Sequence, residues 1–215
     1  MVLKVNFRCS KIEIMTLTRR HFIQTGLAAG LLPIATTASA VQLPAHLMPK
    51  VVDVAGRIPQ GQIEVYPDEF HLYFGIYEGR AIRYGVGVGR ANLYEPGNFT
   101  VDRKQEWPDW RPTDAMIERE PEKYEQYADG VPGGPENPLG ARALYLQYPN
   151  GRDSYLRIHG TTAPRTIGSA VSNGCARLVN EHIEDLYRRV PIGTPVILHQ
   201  KGIASGLFQT VEQPA

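Results

Sequence analysis

Ile82, Tyr84, Val86 and Val88 recur at every second position, with Arg83, Gly85 and Gly87 between them and Gly89 following. A helix would scatter these four apolar side chains around its circumference, whereas a pleated strand puts them all on one face. The stretch is therefore read as a strand with one buried face, and that face needs a second layer to cover it. The same habit runs through much of the chain. Residues 62–66, 69–74 and 80–88 are β-branched and aromatic runs, interrupted by Pro67-Asp68 and Glu78-Gly79. Residues 99–103, 143–148, 155–159 and 194–199 read as further short strands. One helix is signalled. Asn180 is placed to cap it, Glu181, Glu184 and Asp185 sit in its first turns, and Arg188 and Arg189 close it. Ile183, Leu186, Tyr187 and Val190 fall on one face, and Pro191-Ile192-Gly193 ends it. Between strands lies an awkward segment, residues 106–137, rich in Pro, Glu, Trp and Gly. A structureless loop of that length inside a compact domain is uncommon, and is usually functional or disordered.

The first 40 residues read differently. Arg19-Arg20 precede an apolar stretch at residues 26–35, and Ala38-Ser39-Ala40 follows it. The stretch is shorter than the roughly 20 residues a bilayer span requires. Charged, apolar and small-residue regions in that order describe an export signal, and paired arginines followed by x-Phe-Ile resemble the twin-arginine type. An ordinary secretory signal or an uncleaved anchor is the alternative. Met15, three residues before Thr18, is a second candidate start beside Met1. The expected organisation is a cleaved signal over 1–40, a lead-in over 41–59, a catalytic domain over 60–200 and a tail over 201–215. The expected location is the periplasm or cell envelope, with the twin-arginine export machinery as a partner.

Removing that leader changes the composition. The whole chain of 215 residues carries 23 Lys+Arg and 22 Asp+Glu. Five of the basic residues (Lys4, Arg8, Lys11, Arg19, Arg20) and one acid (Glu13) lie in the leader, so the formal charge turns from +1 to −3. A dedicated nucleic-acid binder needs a basic excess and is excluded on this balance. Of the two cysteines, Cys9 lies in the leader, leaving Cys175 as the lone thiol of the mature chain. An oxidising compartment exposes such a thiol to mispairing and oxidation, so its presence there suggests a use. The alternative is a buried small hydrophobe, the ordinary fate of a free cysteine.

The surroundings of Cys175 favour use. Ser172-Asn173-Gly174 is a turn-forming approach that can aim successive backbone N–H groups at one point, as an oxyanion hole requires. A thiol with a reference pKa of about 8.5 is largely protonated at neutral pH and needs a base or a cation beside it. His159, closing the strand at 155–159, is the candidate, provided the intervening chain folds back. Arg177 could hold a substrate carboxylate in a bidentate pair, or could form a structural ion pair.

Other features weigh less. Gly85-x-Gly87-x-Gly89 lacks the spacing and following helix of a phosphate loop and is read as strand glycines for close packing or a bend. His46, His71, His182 and His199 make no recognisable ligand set, and neither a metal nor a cofactor is expected. Trp107, Trp110, Tyr124 and Tyr127 either line a groove or pack their own segment.

His159-Gly160-Thr161, Gly168 and Ser172-x-Gly174-Cys175-x-Arg177 resemble the signature of the L,D-transpeptidases, the YkuD-type catalytic domain. Residues 97–101, 104–110 and 133–146 resemble that family's approach to its active site, so the likeness covers about residues 60–200. The resemblance implies a mostly β fold, with a mixed sheet folded on itself into a sandwich or barrel-like core and one packed α-helix. It implies Cys175 as nucleophile and His159 as general base and acid, with the Gly160 carbonyl orienting the base. It implies backbone N–H groups of Asn173, Gly174 and Cys175 as the oxyanion hole, and Arg177, Gly160 and Ser172 as groups that bind or orient the substrate. The partners implied are peptidoglycan stem peptides, and an outer-membrane lipoprotein as one choice of acyl acceptor. Position 173 is Asn where the family usually has His, and position 176 is Ala where Ile or Val is common. A hydrolase or L,D-carboxypeptidase on the same bonds and a non-catalytic wall-binding module are the competing readings.

Overall fold

The structure is a computed structural model that describes residues 43–54, 57–77 and 79–207. The export signal expected over residues 1–40 and the end of the expected tail lie outside the described residues. Eleven strands are present among the described residues: β1 (Lys50–Asp53), β2 (Ile63–Tyr66), β3 (His71–Gly75), β4 (Arg80–Gly85), β5 (Val88–Gly89), β6 (Gly97–Glu106), β7 (Arg142–Gln147), β8 (Asp153–His159), β9 (Ala170–Ser172), β10 (Ala176–Arg177) and β11 (Pro195–Leu198). Three α-helices accompany them: α1 (Asp114–Arg119), α2 (Pro121–Tyr124) and α3 (Asn180–Arg189). Nine strands form one mixed sheet in the order β1-β4-β3-β2-β11-β6-β7-β8-β10, while β5 and β9 make a small parallel pair. Within the large sheet, β11 runs parallel to β2 and β10 parallel to β8; the other neighbours are antiparallel.

The strand expected over 80–88 breaks after Gly85 and resumes as β5. The break closes the sheet. Beyond β4, near one edge, Gly87 exchanges both backbone hydrogen bonds with Arg177 of β10, the strand at the opposite edge, at 2.9 and 2.8 Å. Closure of this kind removes a sheet edge that would otherwise invite aggregation. It also requires backbone-to-backbone contact. A Cβ on Gly87 would lie 2.9 Å from the Thr166 carbonyl oxygen, and one on Gly89 2.9 Å from the Gly174 Cα. The glycine run is thus the seam along which the sheet meets the turn before Cys175.

Alternation sorts the side chains into two cores. Ile63, Val65, Leu72, Phe74, Ile82 and Tyr84 face one cluster together with Val101, Leu144, Ile158, Leu178, Ile183 and Leu186. Tyr66, Tyr73 and Ala81, on the opposite face, meet Val54 and Ile58. The sequence pattern suggests one buried face; β2, β3 and β4 are buried on both, because residues 54 and 58 cover the outer side. Each fully buried side chain of this size contributes about 1.5–3 kcal/mol.

Helix α3 packs against β7 through Ile183 and Leu186, with Val190 buried just past its end. Lys104 on β6 donates to the carbonyls of Tyr187 and Val190 at 2.6 and 2.7 Å, which satisfies acceptors that a helix end leaves open. Asn180 is not the cap expected from the sequence. The cap position is Val179, and Asn180, the first helical residue, uses its Oδ1 to accept from Ala141 N at 3.1 Å and Thr161 N at 3.2 Å. That amide therefore ties the helix to the residue before β7 and to the loop that follows His159.

Residues 106–137 are not a structureless loop. They hold the end of β6, the two short helices α1 and α2, and a bridge between Trp110 and Val131. Thr113 Oγ1 caps α1 by accepting from Met116 N at 3.3 Å. Fully buried Asn137 donates to the Val131 and Pro132 carbonyls and accepts from Leu139 N. Trp110 packs edge-on against both Tyr124 and Tyr127. Among the described residues no helix is long and apolar enough to cross a membrane.

Candidate active site

Strand β8 delivers His159 as its last residue, and β10 lies parallel beside it with Ala176 opposite Ile158 and Arg177 opposite His159. The chain between His159 and Cys175 thus does fold back. Cys175, immediately before β10, comes alongside Arg157, whose backbone lies within hydrogen-bonding reach of the thiol. The Leu178 N–H donates to the His159 carbonyl at 2.9 Å and locks the register.

His159 is buried, and its Nδ1 lies 2.6 Å from the Gly160 carbonyl oxygen. A carbonyl only accepts, so Nδ1 carries the hydrogen and a neutral ring keeps its lone pair on Nε2. Gly160 is itself fixed by its N–H, which donates to the Arg142 carbonyl at 3.0 Å. Burial, with help from the Arg177 and Arg157 charges, pushes the imidazole down to about 4 against the pull of the Gly160 and Leu139 carbonyls. Burial likewise pushes the Cys175 thiol up, against the opposing influence of the Arg157 backbone and the Arg157 and Arg177 charges. At neutral pH the resting pair is a thiol and a neutral imidazole, not an ion pair.

The turn before Cys175 is braced from within. Ser172 Oγ donates to the Cys175 carbonyl at 2.6 Å and accepts from Gly174 N at 3.3 Å. Its hydroxyl serves the turn, so Ser172 acts on Cys175 through backbone. Gly174 has φ +126°, a conformation L side chains rarely adopt, and a Cβ there would press on Leu156 and the Leu93 carbonyl. Among the described residues the Asn173 and Cys175 N–H groups have no hydrogen-bond partner, while the Gly174 N–H is directed at Ser172.

Arg177 has Nε and Nη2 buried with no partner, and burial lowers the affinity of its guanidinium for its proton. The ion pair that would make it structural is absent among the described residues. A guanidinium in that condition is prepared for an anionic or carbonyl group brought from outside.

The side chain of Asn173 is held by residues outside its own turn. Its Nδ2 donates to the Tyr124 hydroxyl at 2.7 Å, and its Oδ1 accepts from Arg119 Nη2 at 2.9 Å and Arg90 Nη2 at 3.5 Å. The segment carrying α1 and α2 is therefore docked on the turn before the thiol. The sequence pattern does not single out Arg90, Arg119, Glu120 or Arg157, and marks Tyr124 only as part of an aromatic-rich segment. The one available signal is the i, i+4 placement of Arg119 and Lys123 around Glu120. No cluster of three His, Cys, Asp or Glu side chains that could hold a metal occurs among the described residues.

A family model describing the L,D-transpeptidase catalytic domain (YkuD) matches residues 60–198. The probable L,D-transpeptidase ErfK/SrfK of Escherichia coli (strain K12) is 39% identical over 131 residues, 60% of this chain and 40% of that protein. The probable L,D-transpeptidase YbiS of the same strain is 42% identical over 113 residues, 52% of this chain and 35% of that protein. The chain thus spans less than half the length of these two relatives. A crystal structure from Brucella melitensis, named a probable carnitine operon oxidoreductase caia, is 45% identical. It covers 71% of this chain and 92% of its own, with a TM-score of 0.50.

Proposed function

The chain belongs to the L,D-transpeptidase (YkuD) catalytic-domain family, and from that premise we propose that it is a cysteine-dependent acyltransferase acting on peptidoglycan stem peptides. Cys175 Sγ attacks the carbonyl carbon that joins the third stem residue, a diamino acid, to D-Ala at position four. The thiol proton passes to His159 Nε2 as the C–S bond forms. The Asn173 and Cys175 N–H groups receive the developing oxyanion; where single donors of this kind have been removed elsewhere, the loss is roughly 3–4 kcal/mol. The C–N bond then breaks, His159 returns the proton to the departing D-Ala amine, and a thioester remains on Cys175. An amine attacks that thioester, the C–S bond breaks as the acyl group passes to the amine, and the amine proton travels through His159 to the departing Cys175 Sγ. A second stem's diamino acid as acceptor yields a 3→3 crosslink, and a lipoprotein lysine yields a protein anchored to the wall. Arg177 holds a substrate carboxylate or carbonyl beside the thiol.

The observation that carries this reading is the parallel pairing of β8 and β10, which sets a carbonyl-oriented neutral imidazole, a lone thiol and a partnerless guanidinium at one place. A wall-binding module has no use for that combination. We further place the protein in the cell envelope, exported by its twin-arginine-like leader, with the catalytic domain over residues 60–200.

The test incubates mature protein, and a Cys175→Ala variant, with sacculi and resolves the muropeptides. New 3→3 dimers that require the thiol are the expected result. Loss of D-Ala without dimers would instead make it a carboxypeptidase. Equal binding by both proteins with no covalent change would end the catalytic reading.

A further inference from the structure

Three cations surround one acid at the rim of the proposed active site. Glu120 pairs with Arg90, lies 3.7 Å from Arg119 Nε and lies 3.6 Å from Lys123 Nζ. Arg90 and Arg119 also converge on the single oxygen Asn173 Oδ1. Glu118, Glu122 and Glu125 on the same segment are exposed and form no ion pair with these cations among the described residues. One carboxylate facing three cations leaves two positive charges in excess. They are accessible, with side-chain exposures of 38% for Arg90, 37% for Arg119 and 60% for Lys123.

The excess is felt locally. Although burial opposes it, Lys123, Asn173 and Arg90 together pull the Tyr124 phenol below its ordinary range. The Tyr124 hydroxyl in turn accepts from Asn173 Nδ2 at 2.7 Å, which joins it to the turn before Cys175. The cluster is therefore tied, through Asn173 and through the Arg90 N–H that donates to the Ser172 carbonyl at 2.9 Å, to the turn that leads into Cys175 and Arg177. A polypeptide substrate whose acyl carbon reaches Cys175 brings its neighbouring groups close to that turn.

We propose that Arg90, Arg119 and Lys123 form a second carboxylate-binding subsite beside Arg177, which makes this protein select acidic stem peptides over the same peptides with their side carboxylates amidated. The subsite rests on the functional reading above for the position of the scissile bond. It adds a recognition rule: one carboxylate for Arg177, another for the rim. Glu120 holds the cations in place when the site is empty and competes with the ligand for them.

The ligand is probed as a synthetic tetrapeptide stem in two forms, side carboxylates free or amidated. Titration calorimetry with the full mature Cys175→Ala protein measures binding without turnover. The free acid is expected to bind about 10-fold more tightly, a preference that shrinks as salt is raised because exposed charges are screened. Arg119→Gln keeps a donor for Asn173 but removes the charge; it should lower the acid-to-amide ratio about threefold. Arg119→Gln combined with Lys123→Gln should abolish most of it. Glu120→Gln should raise the ratio, and Arg152→Gln, on an exposed turn far from the rim, should leave it alone. Equal affinity for the two peptides, or a preference that survives the double substitution, overturns the subsite. Failure of the sacculus assay alongside an intact preference would sink the transferase reading and leave an acidic-peptide site; transfer without preference would do the reverse.

Discussion

A thiol raised by burial and an imidazole lowered by it make a specific statement about Cys175. In many reactive cysteines a thiolate is already present at rest, stabilised by a protonated histidine. Here both desolvation effects favour the neutral pair. The thiolate then forms as the substrate arrives, by proton transfer to His159. Alkylation by iodoacetamide reports the thiolate, so its rate against pH should show a midpoint above the roughly 8.5 of an ordinary cysteine. A midpoint below 7 would mean a resting ion pair. Gly174 makes a second demand on the same turn. Gly174→Ala asks an L residue to hold φ +126° with its Cβ 3.0 Å from the Leu93 carbonyl. The strain is of the order of 1–3 kcal/mol. The turn should relax to relieve it, so thiol acylation should fall far more than the melting temperature does; unchanged acylation would show that the turn does not orient the thiol.

Among the elements, α3 braces the loop after His159 and the α1–α2 segment braces the turn before Cys175. Lys104→Met removes the donor shared by the Tyr187 and Val190 carbonyls while keeping most of the side-chain bulk. Hydrogen bonds from a charged donor are worth about 1.5–3 kcal/mol each, and some of that is regained from water at this partly exposed end. A loss of about 2 kcal/mol in urea unfolding is expected, with exchange of the last-turn amides accelerated first; an unchanged midpoint would refute the role. The sequence foretold α3 and its buried face, because its apolar residues keep helical spacing. It misplaced Asn180 because a cap and a tertiary tie use the same side-chain oxygen, and only the fold brings Ala141 and Thr161 to it. Strands β2, β3, β7, β8 and β11 were visible as apolar runs. Strands β1, β9 and β10 were not, being defined by their partners more than by their own composition, and β5 was read only as the end of the strand over 80–88. The α1–α2 segment was hidden for a related reason: neither helix buries a periodic face, and they are held by Asn173, which bonds Arg119 and Tyr124, and by Trp110 against Tyr124. The residues proposed as nucleophile, base and substrate-holding guanidinium stand out in the sequence by their signature. The rim cations do not, since Arg90 lies 83 residues from Asn173 and nothing local marks the encounter.

At the scale of the whole molecule, closure of the sheet and burial of the base both bear on stability against acid. His159, His71 and His182 are all lowered by burial, His159 to about 4. In the unfolded chain each would titrate near 6.5, so below that pH the unfolded state binds more protons than the folded one. By linkage, stability then rises with pH, stands in full above about 6.5, and is lost as pH falls from there toward the folded values. For His159 the window runs from 6.5 down to about 4, and its share is at most about 3 kcal/mol. Asp153 and Asp185 are lowered in spite of burial, by Arg157 and Arg189 respectively among their partners. Their contribution is present above the ordinary carboxylate value and disappears only below it, so it extends the loss at the acid end without accounting for the decline between 6.5 and 4. The expected curve of urea midpoint against pH is therefore flat above 7 and falls between 6.5 and 4.5. His159→Gln, which keeps a donor for the Gly160 carbonyl but cannot be protonated, should fall less steeply through that interval. Parallel curves for the two proteins would mean that the His159 side chain finds water when it takes up a proton. The buried, carbonyl-held imidazole on which the proposed chemistry depends would then be open to solvent.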